Sequence, residues 1–202
     1  MEITLQSGLP EEHRPAAARM YWEAFGGKLG RVMGPEARAL AYLDRVMRGD
    51  HVITAMAGDQ LVGLAGFKTP SGAFAGGNWR DMRMVYGRMG ALWRLALLGA
   101  LQSEVDNDRF LIDGICVGRA HRGQGIGRAL IEALCDEAAR RGYPAIRLEV
   151  IDTNVRARSL YEQVGFRTIK HDELGLLRHA FGFSSAATMV RDIASVRTIA
   201  RP

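Results

Sequence analysis

The chain has 202 residues, of which 48% are hydrophobic and 24% are charged, and its formal net charge is +5. This length suits one substantial domain, and the composition is that of a folded globular protein rather than a disordered or repeat chain. We therefore expect a single domain over residues 1–202. No apolar run approaches the ~20 residues of a membrane span, and the acidic N-terminal stretch lacks the pattern of a secretory signal, so we expect a cytoplasmic protein without a membrane partner.

The distribution of basic residues, cysteines and histidines narrows the ligand classes. Basic residues are scattered, whereas a nucleic-acid surface needs them clustered and interleaved with aromatic residues, so we expect no nucleic-acid partner. A mild positive field suits a small ligand that bears phosphate. Cys116 and Cys135 are isolated, and no two histidines stand at metal-ligand spacing. The sequence accordingly predicts neither a disulfide scaffold nor a metal site.

The first 70 residues predict two helices followed by a hairpin. Apolar residues at helical spacing predict helices at 11–25 and 35–47. Short runs typical of strands predict strands at 51–57 and 61–68. Gly26 and Gly27 are expected to end the first helix. Gly58 and Asp59 form a strong signal for the tight turn between the two strands.

Segment 70–108 opens with several glycines and then becomes helical with apolar residues almost all round. We interpret it as a helical insertion. Three roles are possible for this helix: it is buried in the monomer core, it forms a lid over a substrate pocket, or it forms a dimer contact.

From residue 110 the pattern is that of a strand, a glycine-rich turn, a helix and a second strand. The predicted segments are 110–117, 118–127, 128–141 and 145–151. This order predicts a right-handed parallel crossover. Asn154 can cap a short helix that ends at Gly165. Further extended segments are predicted at 166–170 and 188–193.

The turn reads Arg122-Gly123-Gln124-Gly125-Ile126-Gly127-Arg128. Three glycines at alternate positions remove the Cβ atoms that would block a ligand, so successive N–H groups can face phosphate oxygens beside the positive end of a helix. The loop matches neither the P-loop pattern GxxxxGK[ST] of nucleotide-binding proteins nor the dinucleotide-binding pattern GxGxxG. A glycine turn that only allows close helix packing is the alternative.

The same residues resemble the signature [RQ]-x-x-G-x-[GA] of the GNAT superfamily of acetyl-CoA-dependent N-acetyltransferases, because residues 122–127 satisfy every fixed position. Residues 148–166 are similar to that family's next strand, the asparagine after it and the ALYExxGF helix. The resemblance is close over residues 110–167, weaker over the N-terminal elements and absent over 70–108. Segment 172–187 also departs from the family pattern.

The resemblance implies an α/β fold with a mixed, mostly antiparallel sheet, splayed central parallel strands and flanking helices, to which the helical insertion is added. It also implies acetyl-CoA as co-substrate, with the pantetheine arm in the gap between the splayed strands. Main-chain groups suit this uncharged arm, whereas amides and arginine suit the pyrophosphate. The implied binding residues are Ile115, Cys116, Val117, Arg122, Gly123, Gln124, Gly125, Ile126, Gly127, Arg128, Asn154 and Tyr161.

Acetyl transfer to an amine needs a base for the ammonium proton and a proton donor for the departing thiolate. Glu149 lies in an otherwise apolar strand, where burial would make its carboxylate a stronger base, and the resemblance implies this role for it. The alternative is an outward-facing strand residue. The resemblance implies Tyr161 as the proton donor, with a packing role as the alternative. Asp113 is a second candidate base or a site for the substrate ammonium, and Cys116 is expected to pack rather than to carry the acyl group.

The expected acceptor is a primary amine of a small molecule or of a protein N-terminus, acetylated directly in a ternary complex. A CoA-binding sensor without turnover and a dinucleotide-dependent oxidoreductase are the alternatives, and the presence of both Glu149 and Tyr161 favours an enzyme. The missing third glycine counts against the oxidoreductase.

The acceptor end of the cleft is expected to lie under segments 70–108 and 172–187. Arg178 and His179 are candidate substrate residues that disfavour a strongly cationic acceptor. A homodimer formed through the leucine-rich helix is the competing interpretation. The aromatic residues expected to form this wall are Phe74, Trp79, Tyr86, Trp93, Phe181 and Phe183.

Overall fold

The protein is described by a computed structural model over residues 2–99 and 108–193. The strands are β1 Thr4–Ser7, β2 Val52–Ala57, β3 Gln60–Thr69, β4 Gly72–Ala73, β5 Arg109–Val117, β6 Ala145–Ile151, β7 Arg167–Glu173 and β8 Ser185–Asp192. The helices are α1 Arg14–Met33, α2 Glu36–Val46, α3 Trp79–Gly99, α4 Ile126–Arg140, α5 Val155–Gln163 and α6 Arg178–Phe181.

The strands form one mixed sheet in the order β1-β2-β3-β5-β6-β8-β7, and β4 pairs with the end of β3. β5 and β6 are parallel and joined through α4, whereas the other described pairs are antiparallel. This unit is the parallel crossover expected from the sequence. The predicted fold class, a mostly antiparallel mixed sheet flanked by helices, is therefore confirmed, and β1 is an edge strand that the sequence did not indicate.

Helices cover both faces of the sheet, because its strands alternate apolar side chains between the two sides. α4 buries Leu130 and Leu134 against Phe110 on one face. α1 and α2 bury Tyr21 and Leu43 on the other. The glycine-rich loop before α4 thus follows β5, a strand with helices packed on both of its faces.

α1 continues past Gly26 and Gly27 instead of ending there. Each glycine disfavours a helix by roughly 1 kcal/mol relative to alanine. The Trp22 ring lies against Gly26, where an added Cβ would stand 3.1 Å from the ring, and the last turn of α1 buries Val32 and Met33. This packing offsets the unfavourable helix propensity, which is why the sequence pattern misplaced the end of the helix.

The insertion is helical, as expected, over the part that the structure describes; its residues 100–107 lie outside that part. α3 consists of two helical segments joined at Gly87, whose φ is 72°. Its inner side packs on α1 and α2, where Met82 and Ala91 are buried and the Tyr86 hydroxyl donates a hydrogen bond of 2.6 Å to the Met33 carbonyl. α3 is therefore anchored on the N-terminal helices.

Candidate active site

A cleft opens where the parallel strands separate. Residues 109–111 of β5 pair with residues 145–147 of β6, and in the described structure the ladder stops there. The strands then diverge around a cavity of about 1480 Å³, whose walls come from both strands, from the loop before α4, from α5 and from α1. The splay that the sequence implied is present in the structure.

The loop before α4 has a backbone shape that favours glycine. Gly123 and Gly125 have φ of 82° and 80°, in the left-handed region that other residues adopt only with strain. A Cβ added at either position would meet nothing within 4 Å, so conformation rather than crowding requires glycine there. Gly125 is the N-cap of α4, and the N–H groups of a first helical turn have no acceptor within their own helix. These groups and the positive helix end lie at the cleft wall, where their polarity is complementary to an anion.

Gly127 and Gln124 have packing roles in the same loop. A Cβ on Gly127 would stand 3.2 Å from Leu160 Cδ2, so glycine allows α4 to begin close to α5. Gly127 also lines the cleft. The Gln124 side-chain amide donates to the Ala120 carbonyl at 3.4 Å, and Gln124 is not among the described residues that line the cleft. The geometry gives no support to its predicted cofactor contact.

Basic side chains line the same cleft as the glycine loop. Arg122 and Arg128 both line the cleft. Arg122 Nε also donates to the Val117 carbonyl at 3.1 Å, which ties the loop to the end of β5. The sequence interpretation missed three further residues of this wall, although two of them lie in the basic stretch around the loop. They are Arg119, His121 and Arg156.

β5 carries a β-bulge beside the cleft. Its register with β3 shifts by one residue at Asp113. In a regular strand, residues 112 and 116 would lie on the same face of the sheet. The extra residue of the bulge places them on opposite faces, so that Ile112 packs towards α4 whereas Cys116 packs towards α1. The segment Ile115 to Val117 lines the cleft after the bulge, as the resemblance implied.

Cys116 is 2% exposed, and burial raises the pKa of its thiol well above the ordinary value, although the positive charge of Arg122 acts in the opposite direction. A thiol that stays protonated is a poor nucleophile. This environment favours the packing role for Cys116 over that of an acyl carrier.

Asp113 is half-buried in the cleft wall. Its Oδ2 accepts a hydrogen bond of 3.0 Å from the Ala75 N–H, which links the bulge to the loop after β4. The pKa of the neighbouring Tyr21 is raised well above its ordinary value, first by burial and then by the negative charge of Asp113. Asp113 thus places a carboxylate beside a neutral phenol on one side of the cleft.

Glu149 faces the cleft from β6. Its side chain is 31% exposed, and Arg147 Nη2 donates a hydrogen bond of 3.1 Å to its Oε1. The predicted burial of Glu149 is wrong, because Leu148 and Val150 take the core positions and strand alternation turns Glu149 the other way. The carboxylate is therefore accessible from the cleft and is already paired with a guanidinium.

Tyr161 of α5 lines the same cleft. Burial raises the pKa of its hydroxyl to about 12, with a smaller contribution from Cys116. The phenol consequently stays protonated at neutral pH. Asn154 Oδ1 accepts the Ala157 N–H at 3.3 Å and so caps α5, as the sequence predicted, while Asn154 also borders the cleft.

The aromatic wall has a different composition from the one expected. Phe181 and Phe183 line the cleft as predicted, and Phe25 of α1 joins them. The other four predicted members lie elsewhere. Three of them belong to α3, which packs on α1 and α2 instead of closing over the strands, and the fourth follows β4 and is buried in the core against Gly66. The four are Phe74, Trp79, Tyr86 and Trp93, none of which is among the described lining residues.

Arg178 and His179 are exposed on α6 and do not belong to the described cleft lining. Arg31 Nη1 donates to the His179 carbonyl at 2.9 Å, which holds the short helix against α1. The geometry gives no support to the predicted contact of these two side chains with the substrate, since α6 turns Phe181 inward while Arg178 and His179 are exposed.

Two further observations concern metal binding and membrane-spanning helices, neither of which the sequence predicts. Among the described residues, ligand atoms of Glu12, His13 and Asp59 lie within 4.8 Å of one another, although Glu12 and Asp59 are exposed, as acidic groups without an ion commonly are. No helix in the described ranges has the length and apolar character needed to cross a bilayer.

Curated acetyltransferases are similar to part of this chain. The ribosomal protein bS18 alanine N-acetyltransferase of Escherichia coli (strain K12) is 41% identical over 64 residues, which cover 32% of this chain and 43% of that protein. Streptothricin acetyltransferase of Streptomyces lavendulae is 38% identical over 78 residues, which cover 39% of this chain and 41% of that protein. The match thus spans less than half the length of each of these curated relatives.

The fold has close counterparts among solved structures. An N-acetyltransferase from Staphylococcus aureus Mu50 superimposes with a TM-score of 0.65 at 16% identity, over 93% of this chain and 99% of that chain. The acetyltransferase (GNAT) family model matches residues 14–166, which hold α1, the glycine loop, β6 and α5. This match extends over most of the sequence, and the chain therefore belongs to the acetyltransferase (GNAT) family.

Proposed function

We propose that the protein is an N-acetyltransferase that moves the acetyl group of acetyl-CoA directly to a primary amine bound in the same cleft. The observation that carries this proposal is the convergence of the glycine loop, Tyr161 and Glu149 on one cavity between the splayed strands. The family membership and the acetyltransferase relatives support the same chemistry.

The residues present fit acetyl-CoA. The first-turn N–H groups of α4, with Arg122 and Arg128, offer hydrogen bonds and positive charge to a pyrophosphate. Beyond residue 111 of β5, no ladder to β6 occupies the described strand edge, so its main-chain groups can bond the amides of a pantetheine arm. When bound, acetyl-CoA supplies the thioester that is attacked.

Glu149 and Tyr161 supply the two proton transfers. The Glu149 carboxylate takes a proton from the substrate ammonium, and the freed amine nitrogen forms a bond to the acetyl carbon. The carbon–sulfur bond then breaks, and the Tyr161 hydroxyl gives its proton to the departing thiolate. The nitrogen loses its second proton to solvent water, which leaves the neutral amide, and the Tyr161 oxygen regains a proton from solvent. The raised pKa of Tyr161 keeps that proton in place until the thiolate forms.

The acceptor is a primary amine of a small molecule or of a protein N-terminus. The names of the relatives cover both classes, since one acts on streptothricin and the other on the alanine of a ribosomal protein. Asp113 and Glu149 face one cavity from its two strands, and their carboxylates suit an ammonium group. Phe25, Phe181 and Phe183 provide an apolar surface for the part of the acceptor next to the amine.

A panel of amines and short peptides with acetyl-CoA tests the proposal by following thiol release. Turnover with at least one primary amine is expected. Calorimetry run in parallel distinguishes the alternatives: binding of acetyl-CoA without turnover across the panel would favour a sensor, and absence of binding would reject the proposal. Glu149→Gln should lower kcat by about 10²-fold or more, whereas Asp113→Asn should mainly raise the acceptor KM.

A further inference from the structure

α3 exposes a large share of the apolar surface in the described structure. Eight large apolar side chains are exposed among the described residues, and five of them lie on this one helix. Their exposed fractions run from 42% to 79%, so they are available for contact. They are Trp79, Met84, Met89, Leu92 and Trp93.

The exposed residues form an outward face on each segment of α3. Before Gly87, positions 79, 80, 83 and 84 are exposed, and after it positions 88, 89, 92, 93 and 96 are exposed. This spacing of one, three and four residues selects one side of a helix. Met82, Tyr86 and Ala91 are buried on the opposite side, against α1 and α2. We call the exposed set the outer face of α3.

The outer face carries positive charge and no acid. Arg80, Arg83 and Arg88 are exposed on it, and none of the three forms an ion pair with a carboxylate of the described residues. The acidic residue of α3, Asp81, is turned aside and pairs with Arg45 of α2 at 2.9 Å. The partner of this face must therefore tolerate or neutralise three arginines.

This charge pattern discriminates between two kinds of partner. A twofold dimer through the outer face would bring the same arginines together from both copies without an acid to pair them. An anionic lipid surface supplies phosphate groups for the arginines and an acyl boundary for tryptophan, leucine and methionine, which is the composition of an interfacial helix. We propose that the outer face of α3 binds the surface of an anionic membrane, with the helix lying in the interface and not crossing it. The sequence-based expectation of no membrane partner considered only spanning segments.

Vesicle sedimentation of the purified full-length chain tests this proposal. Vesicles of equal parts phosphatidylcholine and phosphatidylglycerol should bind the protein, and phosphatidylcholine vesicles should bind it much more weakly. Raising the salt concentration should weaken binding, because exposed charges are screened. The Trp79 and Trp93 fluorescence should shift to shorter wavelength and be quenched by lipids with brominated acyl chains.

Matched variants locate the contact. The pair Met89→Glu and Leu92→Glu should reduce vesicle binding by about tenfold or more, because two carboxylates would enter the interface. Leu176→Glu, which changes a still more exposed apolar residue outside α3, should leave binding unchanged. Circular dichroism and thermal melting check that both proteins remain folded. Equal binding by the two proteins, or no preference for anionic vesicles, would overturn the proposal.

Light scattering of the lipid-free protein completes the test. A monomer is expected in solution. A dimer that Met89→Glu and Leu92→Glu dissociate would assign the outer face to a subunit contact and overturn membrane binding.

Discussion

The ring of Phe25 lies directly against Gly114, and a Cβ built on Gly114 would stand 2.7 Å from Phe25 Cζ. Gly114 follows the bulge residue Asp113, so this contact fixes α1 to β5 beside the cleft. The Tyr21 ring packs on Phe25 with centroids 4.5 Å apart, and Tyr21 Cε2 would stand 3.4 Å from the same Cβ, so both rings border Gly114. Glycine is thus required at position 114 by close packing.

Gly114→Ala should destabilise the protein by about 1–3 kcal/mol, because the added methyl must displace the Phe25 ring from a packed position. Urea unfolding measures this change. The double variant Gly114→Ala with Phe25→Leu should recover part of the loss, since leucine lacks the ring atoms that meet the methyl group. A single variant as stable as the parent would contradict the packing account.

Gly125→Ala should weaken acetyl-CoA binding by placing a side chain on a backbone with φ of 80° and by distorting the N–H groups of the loop. Gly58→Ala is the matched control, because Gly58 also has positive φ and open surroundings but lies in the β2–β3 turn. Both variants should lose roughly 1 kcal/mol of stability from backbone strain. Calorimetry should show weaker binding for Gly125→Ala alone, and similar affinities for the two would count against anion binding by the glycine loop.

Tyr161→Phe should lower kcat by about 10²-fold or more, because the variant keeps the ring but lacks the proton for the thiolate. Tyr143→Phe should leave kcat unchanged, since Tyr143 is outside the described cleft lining and packs on Phe110. A pKa of about 12 means that Tyr161 loses its proton only as pH approaches that value. The pH profile of kcat in the parent protein should therefore show no alkaline decline due to this group well below pH 12, and equal kcat in both variants would refute the role.

Tyr86→Phe should reduce the free energy of unfolding by about 1 kcal/mol, because the buried hydroxyl donates to the Met33 carbonyl at 2.6 Å. Burial raises the pKa of Tyr86 from 10.0 to about 12. The associated stability is fully present below pH 10 and is lost as pH rises through about 12. Urea unfolding of parent and variant at neutral pH and above pH 10 measures both effects. A stability difference between parent and variant that grows as pH rises would contradict this expected loss.

The features that could be predicted from the sequence are those that local residues determine. The glycine loop, the Asn154 cap and the crossover of β5, α4 and β6 depend on neighbours in the chain, and the structure contains all three. Glu149 shows the limit of this approach, because an acid between apolar neighbours can be buried or can face a cleft, and only the sheet determines which.

Tertiary packing accounts for the other differences. Gly26 and Gly27 read as a helix end, yet Trp22 and the buried last turn extend α1 through them. Phe25 directly precedes these glycines and lines the cleft, whereas the aromatic residues of α3 lie outside the described cleft lining. A pattern in one segment contains no information about which neighbour that segment will meet.

The short ladder between β5 and β6 has a consequence for how the molecule opens. Three residue pairs join the half-sheet of β1, β2, β3 and β5 to that of β6, β8 and β7, so the hydrogen-bonded connection between the two halves of the described sheet is short. Amide hydrogens on the edge of β5 that faces the gap should exchange with deuterated solvent faster than those bonded to β3. Acetyl-CoA at 100 times its Kd would add roughly 2.7 kcal/mol to the stability of the native state. The slowing of exchange should be largest along the β5 edge beside the gap, because acetyl-CoA bound in the cleft would contact both half-sheets there.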